Sequence, residues 1–144
     1  MKRVMVFGTF DGVHDGHRHL FNEAISRGDE LYVVVARDEH VLELKGHLPN
    51  NMIEARMEAV QCESEVTEVI MGDEELGSYD VILEYKPSVI MFGYDQDEFR
   101  HNLLTWLTDS EITDISTEQA SAHMPEIFSS SLMSQELGEE IGAI

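Results

Sequence analysis

The segment GTFDGVHDGH, close to the start of the chain, combines two histidines three positions apart with glycines and aspartates. His14 and His17 can point the same way across the start of a helix, because residues three apart are neighbours on a helical surface. A helix N-terminus offers backbone N–H groups and a partial positive charge. Gly8, Gly12 and Gly16 would let an anion approach the backbone without a Cβ in the way. The segment therefore predicts a site for a phosphate-bearing ligand.

Two other interpretations of this histidine-rich segment stay open. A metal site could draw on His14, His17 and His19, but a helix that begins near Gly16 would put His17 and His19 on nearly opposite sides, because successive residues turn by ~100°. In the third interpretation the segment is a solvated turn, and nearby basic residues only relieve repulsion between acidic groups. The basic residues expected to gather near the histidines are Lys2, Arg3 and Arg18.

The net charge of the chain limits the kinds of molecule that it can bind. In a chain of 144 residues, 29 acidic against 9 basic side chains give −20 at pH 7. The acidic residues are scattered, which indicates a self-repelling, solvated surface and disfavours nucleic acid and anionic membranes as partners. No apolar run approaches the ~20 residues that span a bilayer, so we expect a cytoplasmic protein. The single cysteine, Cys62, follows an amphipathic segment and is predicted to be a buried thiol.

The elements that must position these residues can be read from apolar patterning. RVMVFG, ELYVVVA, VTEVIM and SVIMFG predict strands covered on both faces, and EITDIS predicts a fifth. Helical spacing predicts helices within 20–25, 52–60 and 99–107, and SYDVILEYK predicts a short one. The alternation predicts an α/β fold: a single doubly wound, Rossmann-like domain over residues 1–144, with a parallel five-stranded sheet flanked by helices. Such sheets bind ligands at the carboxyl ends of their strands, where GTFDGVHDGH falls.

GTFDGVHDGH resembles the first signature, HxGH, of the cytidylyltransferase-like nucleotidyltransferases. That family includes glycerol-3-phosphate cytidylyltransferase and the archaeal-type FAD synthetases. Further segments resemble the family in the same order: VVVARDEHV with Asp38, LKGHLPNNMIEARMEAV with Lys45 and Arg56, and IMFGYDQ with Gly93 and Asp95. PEIFSSSLM stands where the family has its second signature. The resemblance covers most of the chain.

The resemblance implies transfer of AMP or CMP from ATP or CTP to a small phosphorylated acceptor, with release of pyrophosphate. The implied catalytic residues are His14, His17 and Lys45, with Lys45 reaching the β- and γ-phosphates from a mobile loop. Asp38 and Arg56 would face the acceptor. Magnesium would be carried by the nucleotide rather than by a metal site of the protein, and the family suggests a homodimer. The implied nucleotide-binding residues are Gly8, Thr9, Phe10, Asp11, Gly16, Gly93, Asp95, Ser129, Ser130 and Ser131.

The substrates are suggested by a departure from the family pattern. Met124 stands where the cytidylyltransferase signature begins with arginine, and this removes a strong phosphate donor. GYDQ and PEIFSSS look more like the archaeal-type FAD synthetases, which attach AMP to FMN. We therefore favour an FMN adenylyltransferase over an enzyme like glycerol-3-phosphate cytidylyltransferase that makes a CDP-alcohol. A nucleotide-binding module without turnover would predict loss of the histidines or the lysine, whereas metal-dependent hydrolysis would predict bound zinc or iron.

Overall fold

A parallel five-stranded sheet forms the centre of the computed structural model, which describes residues 1–121. Each strand pairs in parallel with its neighbours, so all carboxyl ends lie at one edge. The sheet and its flanking helices confirm the predicted α/β class. The strands are β1 (Arg3–Gly8), β2 (Glu30–Val35), β3 (Glu68–Met71), β4 (Val89–Phe92) and β5 (Ser116–Gln119).

Helices cover both faces of this sheet. Strand residues alternate between the faces, so Val4 and Val6 of β1 lie on one side and Met5 and Phe7 on the other. The first face packs against α1 and α3, and the second against α4 and α5. The helices within the described residues are α1 (Asp15–Ile25), α2 (Asp38–Lys45), α3 (Ile53–Gln61), α4 (Asp80–Tyr85) and α5 (Asp97–Asp109). None of them is long and apolar enough to cross a membrane.

The strand order β3, β2, β1, β4, β5 contains a topological switch point between β1 and β4. Chain connections leave the sheet in opposite directions on the two sides of this point, which opens a crevice at the carboxyl ends of the strands. Gly8 ends β1 and Gly93 follows β4, so both lie at this crevice. The fold therefore brings GTFDGVHDGH and GYDQ together, although more than half of the chain separates them.

Two predicted elements are corrected by the structure. Asp38 opens α2 and Lys45 closes it, so Lys45 does not sit in the loop that the family resemblance implied. This helix was missed because Leu42 and Leu44 are exposed, which hides its periodicity. The fifth strand begins only at Ser116, because the isoleucines of EITDIS pack beside α5 on the second face instead of entering the sheet. Its residues are polar since β5 is an edge strand.

Three predicted environments are also wrong. Cys62 is exposed, because it caps the C-terminus of α3 just beyond the last buried position, Val60. Lys2 and Arg3 lie at the amino end of β1, at the opposite sheet edge from the histidines. Arg18 extends along the exposed side of α1, where its guanidinium contacts acidic side chains. The basic residues therefore do not form a cluster around the histidine segment.

Candidate active site

His14 and His17 together form the N-terminal cap of α1. Gly16 donates its backbone N–H to His14 Nδ1 at 3.0 Å, and His14 donates its own backbone N–H to His17 Nδ1 at 3.3 Å. This is the reciprocal capping-box arrangement, with histidine in both positions. The two rings stack with their centroids 3.9 Å apart. The spacing of three thus brings the imidazoles together, as the sequence predicted.

These caps determine where the imidazole protons lie. Each Nδ1 accepts a backbone N–H, so neither can carry a proton without losing that hydrogen bond. The neutral rings of His14 and His17 therefore hold their proton on Nε2, which makes each Nε2 a donor. His17 is only 4% exposed, because its ring packs edge-on against Phe10 with centroids 5.0 Å apart. His17 is therefore a buried side chain at the start of α1.

A cleft with about 500 Å³ of open space lies between the start of α1 and the segment that follows β4. His17 and Gly16 form one wall, and Gly93 and Asp95 lie across from them. Gln96 holds this second wall in place, since its Oε1 accepts the Gly93 N–H at 2.7 Å and its Nε2 donates to the Phe7 carbonyl at 3.0 Å. The cleft occupies the switch point between β1 and β4.

The backbone at the end of β1 is bent sharply. Phe10 adopts a left-handed conformation with φ 54°, which is costly for a residue with a bulky side chain. Its ring lies over Gly8, where an added Cβ would approach the ring carbons to 2.7 Å. Gly8 therefore allows Phe10 to fold back and support His17. Thr9 is buried, and within residues 1–121 its hydroxyl has no hydrogen-bond partner.

Asp11 anchors a neighbouring loop. One of its carboxylate oxygens accepts the backbone N–H of Asn50 at 2.7 Å, and the other accepts the backbone N–H and side-chain amide of Asn51 at 3.0 and 2.9 Å. These contacts hold the α2–α3 loop beside the histidine segment. The implied contact of Asp11 with a ribose or a metal stays a prediction.

Arg56 and Asp38 form an ion pair beneath the site. The Arg56 side chain is fully buried, and its Nη2 lies 2.6 Å from Asp38 Oδ1. The same guanidinium donates to the carbonyl of Thr9 at 2.7 Å and to that of Asn51 at 2.9 Å. Asp38 also accepts the backbone N–H of Ile53 at 3.2 Å. These protein contacts position the β1 end and the start of α3, and the implied role of the pair in binding the acceptor stays a prediction.

The remaining predicted site residues lie either away from the cleft or outside the described residues. Lys45 is half-buried at the end of α2 and is not among the described residues that line the cleft. The predicted phosphate-binding serines, Ser129, Ser130 and Ser131, lie outside the described residues, as does Met124. Among residues 1–121, no group of three or more His, Cys, Asp or Glu side chains is arranged to hold a metal ion.

Several residues that shape the cleft were not assigned to it from the sequence, although His19 was considered as a metal ligand. Gln96, Tyr94, His19 and Ser121 line it or support its wall. His19 Nε2 lies 2.9 Å from Glu23 Oε1, and Glu23 also accepts hydrogen bonds from Ser121. Burial opposes ionisation of Glu23, but the Ser121 bonds and the charges of His19 and Arg27 outweigh it and lower its pKa. The position of GYDQ immediately after a strand was a usable signal for Gln96, whereas nothing local marks Ser121.

The sequence matches the family model described as cytidylyltransferase-like over residues 5–135. This span contains both walls of the cleft. The chain belongs to the cytidylyltransferase-like family.

Within the cytidylyltransferase-like family, the chain is similar to several archaeal FAD synthases. The chain is 44% identical to the FAD synthase of Pyrococcus horikoshii over 95 residues, which are 66% of this chain and 64% of that protein. It is 39% identical to the FAD synthase of Methanosarcina mazei over 98 residues, 67% of this chain and 62% of that one. The matched part thus spans less than two thirds of the length of these relatives.

The chain is also similar in fold to a protein of solved structure. The lipopolysaccharide core biosynthesis protein of Thermoplasma volcanium superposes with a TM-score of 0.78 and 33% sequence identity. The match covers 86% of this chain and 99% of that one. The cytidylyltransferase-like fold described above therefore recurs in a protein whose name differs from that of the FAD synthases.

Proposed function

We propose that this protein is a nucleotidyltransferase that transfers AMP from ATP to FMN, forming FAD and releasing pyrophosphate. The observation that carries the proposal is the capped histidine pair of α1 beside the cleft at the β1–β4 switch point. The similarity to archaeal FAD synthases supports ATP and FMN as the substrates.

The proposed reaction is a single in-line displacement. A phosphate oxygen of FMN attacks the α-phosphorus of ATP, and a new oxygen–phosphorus bond forms. The bond from that phosphorus to the oxygen bridging the β-phosphate breaks, and pyrophosphate leaves with the electron pair. The protein's task is to align two anionic groups and to stabilise the charge that develops, without a covalent intermediate.

The histidines and the helix start are suited to that task. An Nε2–H of His17 that donates to a phosphate oxygen stabilises negative charge where it grows, and the partial positive charge at the N-terminus of α1 adds to this. Thr9 and Phe10 contribute backbone at the β1 end, Gly8 gives the Phe10 ring its room, and Gly16 keeps a Cβ out of the approach. Proposed roles remain for Lys45 at the β- and γ-phosphates and for the serines Ser129, Ser130 and Ser131.

Magnesium fits this site as a companion of the triphosphate. Among residues 1–121, Asp95 is the carboxylate that lines the cleft, and magnesium is commonly held by one or two carboxylates together with substrate phosphates. When bound, the ion supplies positive charge that neutralises the phosphates. Asp95 would contact it, while Gly93 leaves room for the nucleotide. A cytoplasmic homodimer completes the proposal, and sedimentation velocity tests the dimer.

The test is pyrophosphate release by the purified protein with magnesium. ATP with FMN is compared with CTP and glycerol 3-phosphate, the substrates of the alternative cytidylyltransferase activity. Release with ATP and FMN alone is the expected result. Release with only CTP and glycerol 3-phosphate would contradict the choice of substrates, whereas tight nucleotide binding without release from any pair would indicate a binding module.

A further inference from the structure

A second pocket, separate from the nucleotide cleft, opens at the same edge of the sheet. It has about 420 Å³ of open space and lies at the carboxyl ends of β2 and β3. Ala36 follows β2 and Gly72 follows β3, and both line it. Phe7 of β1 lines this pocket and the cleft alike. The two cavities therefore occupy adjoining halves of one edge and meet at β1.

The walls of this pocket are mainly apolar. Phe7 and Val34 line it from the sheet, and Tyr79 and Val81 line it from the start of α4. Tyr79 is held by Trp106, whose ring lies edge-on with centroids 5.1 Å apart. None of the described lining residues is lysine or arginine. A pocket of this kind suits a flat, largely uncharged ring and is a poor place for a second phosphate.

Its polar groups are acceptors at the rim. Asp73 and Glu75 line the pocket, and they would repel a phosphate but accept an N–H from a neutral heterocycle. His40 is buried, and its Nε2 lies 2.9 Å from the Glu74 carbonyl, which fixes the segment that carries both carboxylates. The pocket therefore combines apolar walls with hydrogen-bond acceptors for a ring that carries an N–H group.

The geometry points to this pocket as the site for the isoalloxazine ring of FMN, an inference that rests on the proposed function. In-line transfer requires the acceptor on the opposite side of the reacting α-phosphate from the leaving group. With the nucleotide in the cleft between β1 and β4, the acceptor approaches from the β2 side, where this pocket lies. The ribityl chain would cross the end of β1, and the flavin phosphate would reach the histidines.

Leu76 offers a direct test because it lines the pocket and is 40% exposed, so its replacement leaves the core intact. Leu76→Arg would place a long charged side chain at the pocket mouth. Leu83→Arg is the matched control, since Leu83 is 52% exposed on α4 and lines neither cavity. Riboflavin is the probe, because it has the ring but no phosphate, and stacking on tyrosine or tryptophan quenches its fluorescence.

We expect riboflavin to bind the wild-type protein and the Leu83→Arg variant equally, and Leu76→Arg to bind about tenfold more weakly or worse. Equal binding by both variants, or no binding by the wild type, would overturn the inference. FAD formation from ATP and FMN by the wild type is measured in parallel. If the wild-type protein forms FAD and Leu76→Arg binds riboflavin as well as the wild type does, the proposed function stands and the flavin pocket is wrong. If Leu76→Arg loses riboflavin binding but the wild-type protein forms no FAD, the pocket binds flavin and the proposed function is wrong.

Discussion

At the scale of single residues, His14 and His17 cap α1, and the proposed function gives the same two side chains a second role as donors to phosphate. Their Nδ1 atoms accept backbone N–H groups, so the neutral rings carry their proton on Nε2. The spacing of three residues predicts that the imidazole rings of His14 and His17 lie side by side, as they do. It does not predict the burial of His17, because that depends on Phe10 folding back over Gly8 in a left-handed conformation.

Replacing His17 separates its two roles. His17→Ala should lower kcat for FAD formation by about a hundredfold or more, because it removes a donor to the developing charge. The same change should cost about 1 kcal/mol of stability through the lost cap. His17→Gln can restore the capping box and therefore stability, but not turnover. His101→Ala, at an exposed position of α5, is the control for kcat measured by pyrophosphate release; an active His17→Ala would refute the catalytic role.

Asp73 should give the stability a pH dependence. Burial raises the pKa of Asp73 above its ordinary value of 3.8, partly offset by the backbone N–H of Val81. The native state therefore binds more protons between pH 3.8 and the raised pKa, and the free energy of unfolding falls as pH rises through that window. Asp73→Asn should be more stable than the wild type at pH 7, and the gain should vanish as the pH falls toward 3.8.

Urea unfolding at several pH values measures this difference. Glu58→Gln on the exposed side of α3 removes the same charge without the burial, so it separates the local effect from the general relief of repulsion. A gain from Asp73→Asn no larger than that from Glu58→Gln would contradict the role of burial.

At the scale of elements, the alternation of strands and helices was predictable, because buried parallel strands are short apolar runs. The failures are equally physical. Helix α2 has an exposed apolar side that blurs its period, and β5 is a polar edge strand that carries no apolar signal. The loop between α2 and α3 is held by Asp11 and by Arg56 over long sequence distances, and no local pattern reports such contacts.

Arg56 should be the most sensitive charged residue for the placement of these elements. Arg56→Met removes the charge partner of Asp38 Oδ1 and the donor to the Thr9 and Asn51 carbonyls, and we expect a loss of about 3 kcal/mol or more. Arg18→Met removes two ion pairs of an exposed guanidinium, with Asp15 and Glu63, and should cost much less stability than Arg56→Met. Urea denaturation measures the free energy of unfolding of both variants. Equal losses of stability would show that the buried ion pair contributes no more than the exposed ones.

At the scale of the whole molecule, the net charge of −20 sets the response to salt. Repulsion among scattered carboxylates destabilises the compact state in dilute buffer, and molar KCl screens it within about 3 Å. We expect the melting temperature to rise by about 5 °C or more between dilute buffer and molar KCl. Glu58→Lys should raise the melting temperature in dilute buffer and have a smaller effect in molar salt. A lower melting temperature in salt would contradict this account.

The central claim is that the cleft at the β1–β4 switch point transfers AMP to FMN. The most direct measurement follows ATP labelled at the α-phosphate in the presence of FMN and magnesium, with the products separated chromatographically. The account predicts that the label moves into FAD, that unlabelled pyrophosphate appears in equal amount, and that His17→Ala loses both. Label that stays in ATP, or appears as free AMP without FAD, would contradict it.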